Sequence, residues 1–362
     1  MCNWKSKVDE YYKCPEPALP DSEKGYCIFH AEQKDNTEYS KRIQEKLKNK
    51  DYNFTGYYFP RFTNFREITL EADVSFTEAF FNQDVVFLGT TFEGDASFVG
   101  ATFLGRAEFQ NTMFSRDTVF SHATFKGGCY FIAATFSRYA DFSNATFNET
   151  ADFRYVNFQT DTYFNRATFY EIAYFRKVTF NGNANFHNTI YERSLDFTNT
   201  RFKYLEDKEL IYRIAKMGYE KDGQYDKAAE CLYEEKIARW QQLKWKSRSF
   251  SKKLLERIFM WSTCGYGERP LRVVIWAFGI ITICTILYNL YAGNICSVDR
   301  YDVFGFGDAI YMSGVTFVTL GFGGPWYPDP ECWIKYIVMM EGGIGGFSMA
   351  LFVTIFGRIM LR

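Results

Sequence analysis

A phenylalanine returns every eleven residues from Phe54 to Phe197, fourteen times in all. A second series of fourteen runs five residues behind it, from Phe59 to Phe202, all Phe except Leu70 and Tyr191. Large apolar residues therefore alternate at spacings of five and six. On a helix, positions five apart differ by about 140° in phase at about 100° per residue, so the two series cannot share one face. Extended chain satisfies the pattern, because residues two apart point the same way. Two residues before the rings stand small residues such as Ala101, Ala107, Ala123, Ala140, Ala145 and Ala167. These pairs face inward, while the intervening Asp, Asn, Arg, Ser and Gly face water and make turns. If two units close one coil, fourteen units give about seven coils. At roughly 4.8 Å per coil the rod is about 34 Å long, with Phe stacked on Phe along its axis.

The phrases ADFSNATF (Ala140 to Phe147) and NANFHNTI (Asn183 to Ile190) resemble the pentapeptide-repeat family. The resemblance implies a right-handed quadrilateral β-helix over residues 51–203. This chain departs from the family in using Phe where Leu is commoner, and in adding a sixth residue at every second corner. Some members of the family mimic duplex DNA with an acidic surface, but residues 51–205 are only mildly acidic. A formal net charge of -1 over 362 residues likewise argues against nucleic-acid binding.

Residues 1–50 are polar and charged, with no signal peptide, so this part is expected to remain in the cytoplasm. Cys2, Cys14, Cys27 and His30 form a C-x11-C-x12-C-x2-H pattern. A tetrahedral Cys3His site holding a structural Zn2+ would tie down a segment too short and polar to hold itself. Scattered reduced thiols are the alternative, since only the Cys27–His30 pair has the tight spacing of a zinc knuckle. Thr37 to Lys50 reads as a charged surface helix.

From Tyr204 to Trp261 the periodicity turns helical. Two helices joined at Asp222-Gly223 are placed to cap the open end of the β-helix. Lys244 to Trp261 follows, basic on one side and carrying Trp245, Phe250, Leu254, Leu255 and Trp261. It reads as an interfacial helix on the anionic cytoplasmic leaflet, or else as a plain solvated linker.

Leu271 to Tyr291 and Trp333 to Gly357 are each long and apolar enough to cross a bilayer. Lys and Arg crowd residues 236–272, and Arg358 and Arg362 follow the second span. The loop between the spans holds Arg300, with Lys335 at its edge, and carries Asp299, Asp302, Asp329 and Glu331. Both termini are therefore expected in the cytoplasm, with the acidic loop concentrating cations at the outer face. Cys296 and Cys332 fall in this loop and are either free thiols or a disulfide.

Between the spans, the amphipathic stretch Asp308 to Val318 leads into Thr319-Leu320-Gly321-Phe322-Gly323. Alternate glycines allow backbone angles that turn successive carbonyls toward one axis, where they replace the water around a monovalent cation. A similar string, Thr263-Cys264-Gly265-Tyr266-Gly267, precedes the first span and so cannot sit in a re-entrant loop. It reads as a turn before Pro270, which suits a first helical position.

AIYMSGVTFVTLGFGG (Ala309 to Gly324) resembles the pore helix and selectivity filter of the two-transmembrane potassium channel family, over about Pro270 to Arg362. The resemblance implies a re-entrant pore helix, K+ as permeant ion, and a homotetramer in a lipid membrane, since one filter strand cannot surround an ion. It places the gating hinge at Gly345 by the motif G-I-G-x-F, with close helix packing as the plainer reading. Glu341, expensive in hydrocarbon, needs a polar partner and is expected to support the filter from behind. Gly324 replaces the Asp that commonly follows the filter, and Val315 stands where some members carry its Glu partner. The usual carboxylate pair behind the filter is thus missing, and Phe322 in place of Tyr loses a hydroxyl.

The resulting organisation is multidomain: a zinc-binding cap over 1–50, the β-helix over 51–203, a helical linker over 204–262 and a two-span pore over 263–362. The expected activity is passive potassium conduction, with the cytoplasmic domain acting on the gate and a gating ligand that the sequence leaves unnamed. A non-selective cation channel and a membrane-anchored scaffold are the alternatives. Three histidines, none near another or near paired carboxylates, leave no acid-base constellation for an enzyme.

Overall fold

The computed structural model describes residues 1–242, 270–297, 304–318, 326–328 and 333–360. The expected interfacial helix Lys244–Trp261, the strings Thr263–Gly267 and Thr319–Gly323, and Cys332 lie outside the described residues. The chain divides into two compact units, Met1–Gln242 and Leu243–Arg362.

In the first unit, two-residue strands recur along the repeat and pair only in parallel, each with the strand 22 residues away. Phe125 lies between Phe103 and Phe147, and Phe114 between Phe92 and Phe136. The strands form four columns, three of seven and one of six, which is a solenoid of about seven turns over residues 58–202. Pairing two elevens per coil, as the sequence implies, is the arrangement found.

Alternation decides what each strand buries. In Ala140-Asp141-Phe142 the outer two residues are fully buried and Asp141 lies on the surface side. Each core ring stacks on the ring one coil away, as Phe98 does on Phe120 (4.5 Å between centroids, planes 4° apart). A ring of the first series also meets the ring eleven residues on edge to face, as Phe98 meets Phe109 (5.7 Å, 90°). These are the two favoured aromatic geometries, each worth about 0.5–1.5 kcal/mol beyond the area buried. The eleven-residue spacing of the first series satisfies both at once.

Two residues after each first-series ring the backbone turns with positive φ. Gly89 and Gly100 hold this corner without strain, while Ala133, Tyr155 and Arg166 adopt it at 57° to 61°.

Both ends of the solenoid are covered. At the start, helix α1 (Asn36–Lys48), capped by the Asp35 carboxylate, packs Tyr39 against Phe29 and Phe59. Residues 1–31 share one apolar core with the first coil, so the expected cap and β-helix belong to one unit. At the other end, α2 (Leu205–Lys221) and α3 (Tyr225–Gln241) form the expected hairpin. Asp207 and Asp222 accept hydrogen bonds from the last-coil amides of Ala184 and Ser194, at 2.9 and 2.8 Å.

In the second unit, α4 (Pro270–Leu290) begins at the expected proline and α6 (Ile334–Met360) is the second long helix. By length and composition Leu271–Leu290 and Ile334–Gly357 can each cross a membrane. Between them lies the shorter α5 (Phe306–Phe317). A pairing absent from the sequence reading joins Ile295–Ser297 to Trp326–Pro328, antiparallel, with Cys296 opposite Tyr327.

Candidate functional site

Cys2, Cys14, Cys27 and His30 lie in irregular chain and in the turn that follows it, and their ligand atoms all fall within 4.8 Å of one another. The Sγ atoms of Cys14 and Cys27 are 3.7 Å apart. Four ligands at about 2.3 Å on a tetrahedral metal stand about 3.8 Å from each other, so the spacing suits one shared ion and is far too long for a disulfide. His30 Nδ1 lies 3.0 Å from Cys27 Sγ and 3.4 Å from Cys2 Sγ. Its Nε2 lies 3.0 Å from the Thr55 carbonyl. A carbonyl only accepts, so Nε2 carries the proton and Nδ1 presents its lone pair to the cluster. The Cys27 amide also donates to Cys2 Sγ, at 3.2 Å.

The thiols differ in acidity. A hydrogen bond from Cys27 holds Cys14 below the usual thiol range. The same contact with Cys14, followed by burial, pushes Cys27 up to about 11. Burial raises Cys2. Neighbouring thiolates repel, so this group ionises fully only against a positive charge, and the donor set fits a soft dication.

Two rings enclose the cluster. Trp4 stacks on the His30 imidazole at 4.5 Å with planes 9° apart, and Tyr57 meets it edge on. Lys34 Nζ donates to the carbonyls of Phe29 and Tyr58 and sits 4.1 Å over the Tyr39 ring. Burial lowers its pKa to about 7.

The second unit centres on Glu341, which is 1% exposed. Its carboxylate accepts hydrogen bonds from the Tyr288 hydroxyl of α4 and the Ser313 hydroxyl of α5. Ser313 also lies 3.1 Å from the Ile281 carbonyl. One acid thus joins three helices in an apolar cluster that includes Met312, Ile334 and Val338. Val315 carries no acid, but α6 brings the Glu341 carboxylate to Ser313, two residues away on the same helix.

Two further contacts fix the ends of α5. Asp308 accepts from the Gly305 amide at 2.9 Å and from Trp326 Nε1 at 3.1 Å, so it caps the helix and holds the returning strand. At the other end Gly345 lies against the backbone of Phe317, and Gly342 against that of Thr316. The helix stops there, and Thr319 to Gly323 begin one residue beyond Val318. Of the residues that carry these contacts, Tyr288, Ser313 and Trp326 were not singled out from sequence. A serine inside an apolar helix and a tyrosine within a span were the signals that could have marked the first two.

Two family models match. One, described as pentapeptide repeats (9 copies), matches residues 54–102, 65–113, 109–157 and 153–201. The other, described as ion channel, matches residues 275–362. No curated protein and no solved structure matches the chain at a significant level.

Proposed function

We propose that this chain, which joins pentapeptide repeats to an ion-channel domain, is one subunit of a homotetrameric potassium channel. Carbonyls of Thr319, Leu320, Gly321, Phe322 and Gly323 take the place of the ion's hydration shell, and four copies close the ring. The observation that carries this reading is the re-entrant path between the spans. Strands 295–297 and 326–328 lie side by side, so the chain enters and leaves at one level. The twelve residues of α5 are about 18 Å long, too short to cross a bilayer core of about 30 Å.

In this reading Glu341 braces α5 behind the filter, and Gly345 is both the packing point against α5 and the bending point of the inner helix. Basic residues flank the spans on one side, which puts both termini in the cytoplasm and the chain in the cell membrane as a multi-pass protein. Residues 204–262 carry signals from the solenoid to the gate, and one Zn2+ per chain at Cys2, Cys14, Cys27 and His30 is structural.

The test is the reversal potential of purified protein in planar bilayers under a potassium-against-sodium gradient. A value near the potassium equilibrium potential, lost in Gly321→Ala, is expected; reversal near zero would replace this reading with a non-selective cation channel. Deleting residues 1–203 is expected to alter gating, and unchanged gating would refute the coupling.

A further inference from the structure

The metal centre lies over the open edge of the first coil, and the segment that supplies two of its ligands also supplies that edge's hydrogen bonds. In the second coil the Thr77 carbonyl accepts from the Gly56 amide, and the Phe80 amide donates to the Tyr57 carbonyl, both at 2.8 Å. The equivalent first-coil groups, the Thr55 carbonyl and the Tyr58 amide, have no preceding coil. His30 Nε2 takes the first and the Phe29 carbonyl takes the second, at 3.0 and 2.8 Å. Lys34 Nζ, 2.7 Å from the Tyr58 carbonyl, covers a third. Phe29 covers the first coil as well, lying on Tyr57 at 4.4 Å with planes 7° apart.

Trp4 seats the N-terminal end of the segment. It covers the corner at Gly56, where φ is +69° and an added Cβ would lie 2.1 Å from the indole. The cover at the far end of the solenoid has helices of its own, α2 and α3. Residues 1–31 have none, only one isolated bridge between Lys5 and Lys13. Besides a few backbone contacts, such as the Cys2 amide to the Glu16 carbonyl and the Asn3 amide to the Gly25 carbonyl, both at 2.9 Å, the cluster is what ties Cys2 and Cys14 to Cys27 and His30.

We infer that the bound ion is the clip that keeps this sheet edge closed. With metal, Cys27 to Lys34 stand in for a missing coil. Without it the segment releases Thr55 and Tyr58, and the bare parallel edges of two chains pair end to end, the association that covered edges prevent. The inference rests on the zinc reading above and adds to it a second copy of this chain as the partner of the metal-free state.

The experiment uses the full chain in lipid nanodiscs, loaded with Co2+ or Zn2+ and then stripped with a chelator. Cobalt is expected to give the d–d and thiolate charge-transfer bands of a tetrahedral three-sulfur site, with one ion per chain. Stripping is expected to speed amide exchange at Tyr58 by at least about tenfold and to produce particles holding two discs, both reversed by one equivalent of zinc per chain. Cys2→Ser, which alters the half-buried ligand, is expected to shift both readouts at lower chelator concentration. Tetrahedral cobalt with unchanged Tyr58 exchange and single discs after stripping would overturn the clip and leave the zinc site standing. No bound metal and no cobalt bands would overturn both.

Discussion

The carbonyl oxygen of Phe317 occupies the place where a side chain on Gly345 would begin. A Cβ there would lie 1.8 Å from that oxygen and 2.6 Å from its carbon. Backbone cannot yield as a flexible side chain can, so Gly345→Ala must displace the end of α5 or separate the two helices. The expected result is lost potassium selectivity or lost current, read from the reversal potential. Gly279→Ala, where an added Cβ would meet no atom of another segment within 4 Å among the described residues, is expected to leave both intact.

Removing the acid that joins three helices leaves the buried Tyr288 hydroxyl without its acceptor, while Ser313 keeps the Ile281 carbonyl. An orphaned buried hydroxyl costs about 1–3 kcal/mol, so Glu341→Ala is expected to lower the thermal midpoint of the detergent-solubilised protein. Glu341→Gln keeps an acceptor oxygen and should lose less. Equal midpoints for the two variants would show that Tyr288 and Ser313 draw little from the carboxylate.

Ala133 sits at φ 57°, in the corner that Gly89 and Gly100 fill elsewhere in the solenoid. Relief of the Cβ clash outweighs the added entropy of the unfolded chain, so Ala133→Gly is expected to stabilise by about 1 kcal/mol. Ala123→Gly, at a buried inward position, should destabilise. Chemical denaturation of the two variants beside the parent separates these signs.

Asp196 is 2% exposed, and burial alone would raise its pKa. The Thr198 hydroxyl and amide, with Arg176, outweigh burial and hold the carboxyl below its ordinary value. The unfolded chain then takes up this proton more readily than the folded one. The contribution of Asp196 is fully present above about pH 5 and is lost as pH falls through the folded value, which lies below the ordinary aspartate value of about 3.9. Stability measured from pH 6 to pH 2 should fall less steeply in Asp196→Asn than in the parent. Parallel curves would contradict the assignment.

The solenoid was legible because each coil touches only its neighbours, so a local period carries the tertiary contact with it. Phe98 meets Phe109 and Phe120 because they are eleven and twenty-two residues away, and no distant segment intervenes. The two spans, the proline at the start of α4 and the hairpin at Asp222-Gly223 were legible for a similar reason: length, apolarity and turn chemistry act locally. The pairing of Ile295–Ser297 with Trp326–Pro328 was not, since three-residue strands carry no alternation to read.

The candidate sites divide along the same line. The four candidate metal ligands could be named from residue type, but their spacings of eleven and twelve do not bring them together. Their meeting depends on Trp4, Thr55 and Phe29, which fix where the irregular chain lies. Glu341 could be recognised as a carboxylate in need of partners, because hydrocarbon offers it none. Which partners it takes, Tyr288 fifty-three residues before it and Ser313 twenty-eight before it, follows from how three helices cross. Periodic and compositional demands act within a few residues and are written in the chain. Contacts across long separations are set by packing, where the same glycine serves as a bend or as a bed for Phe317 according to what lies opposite.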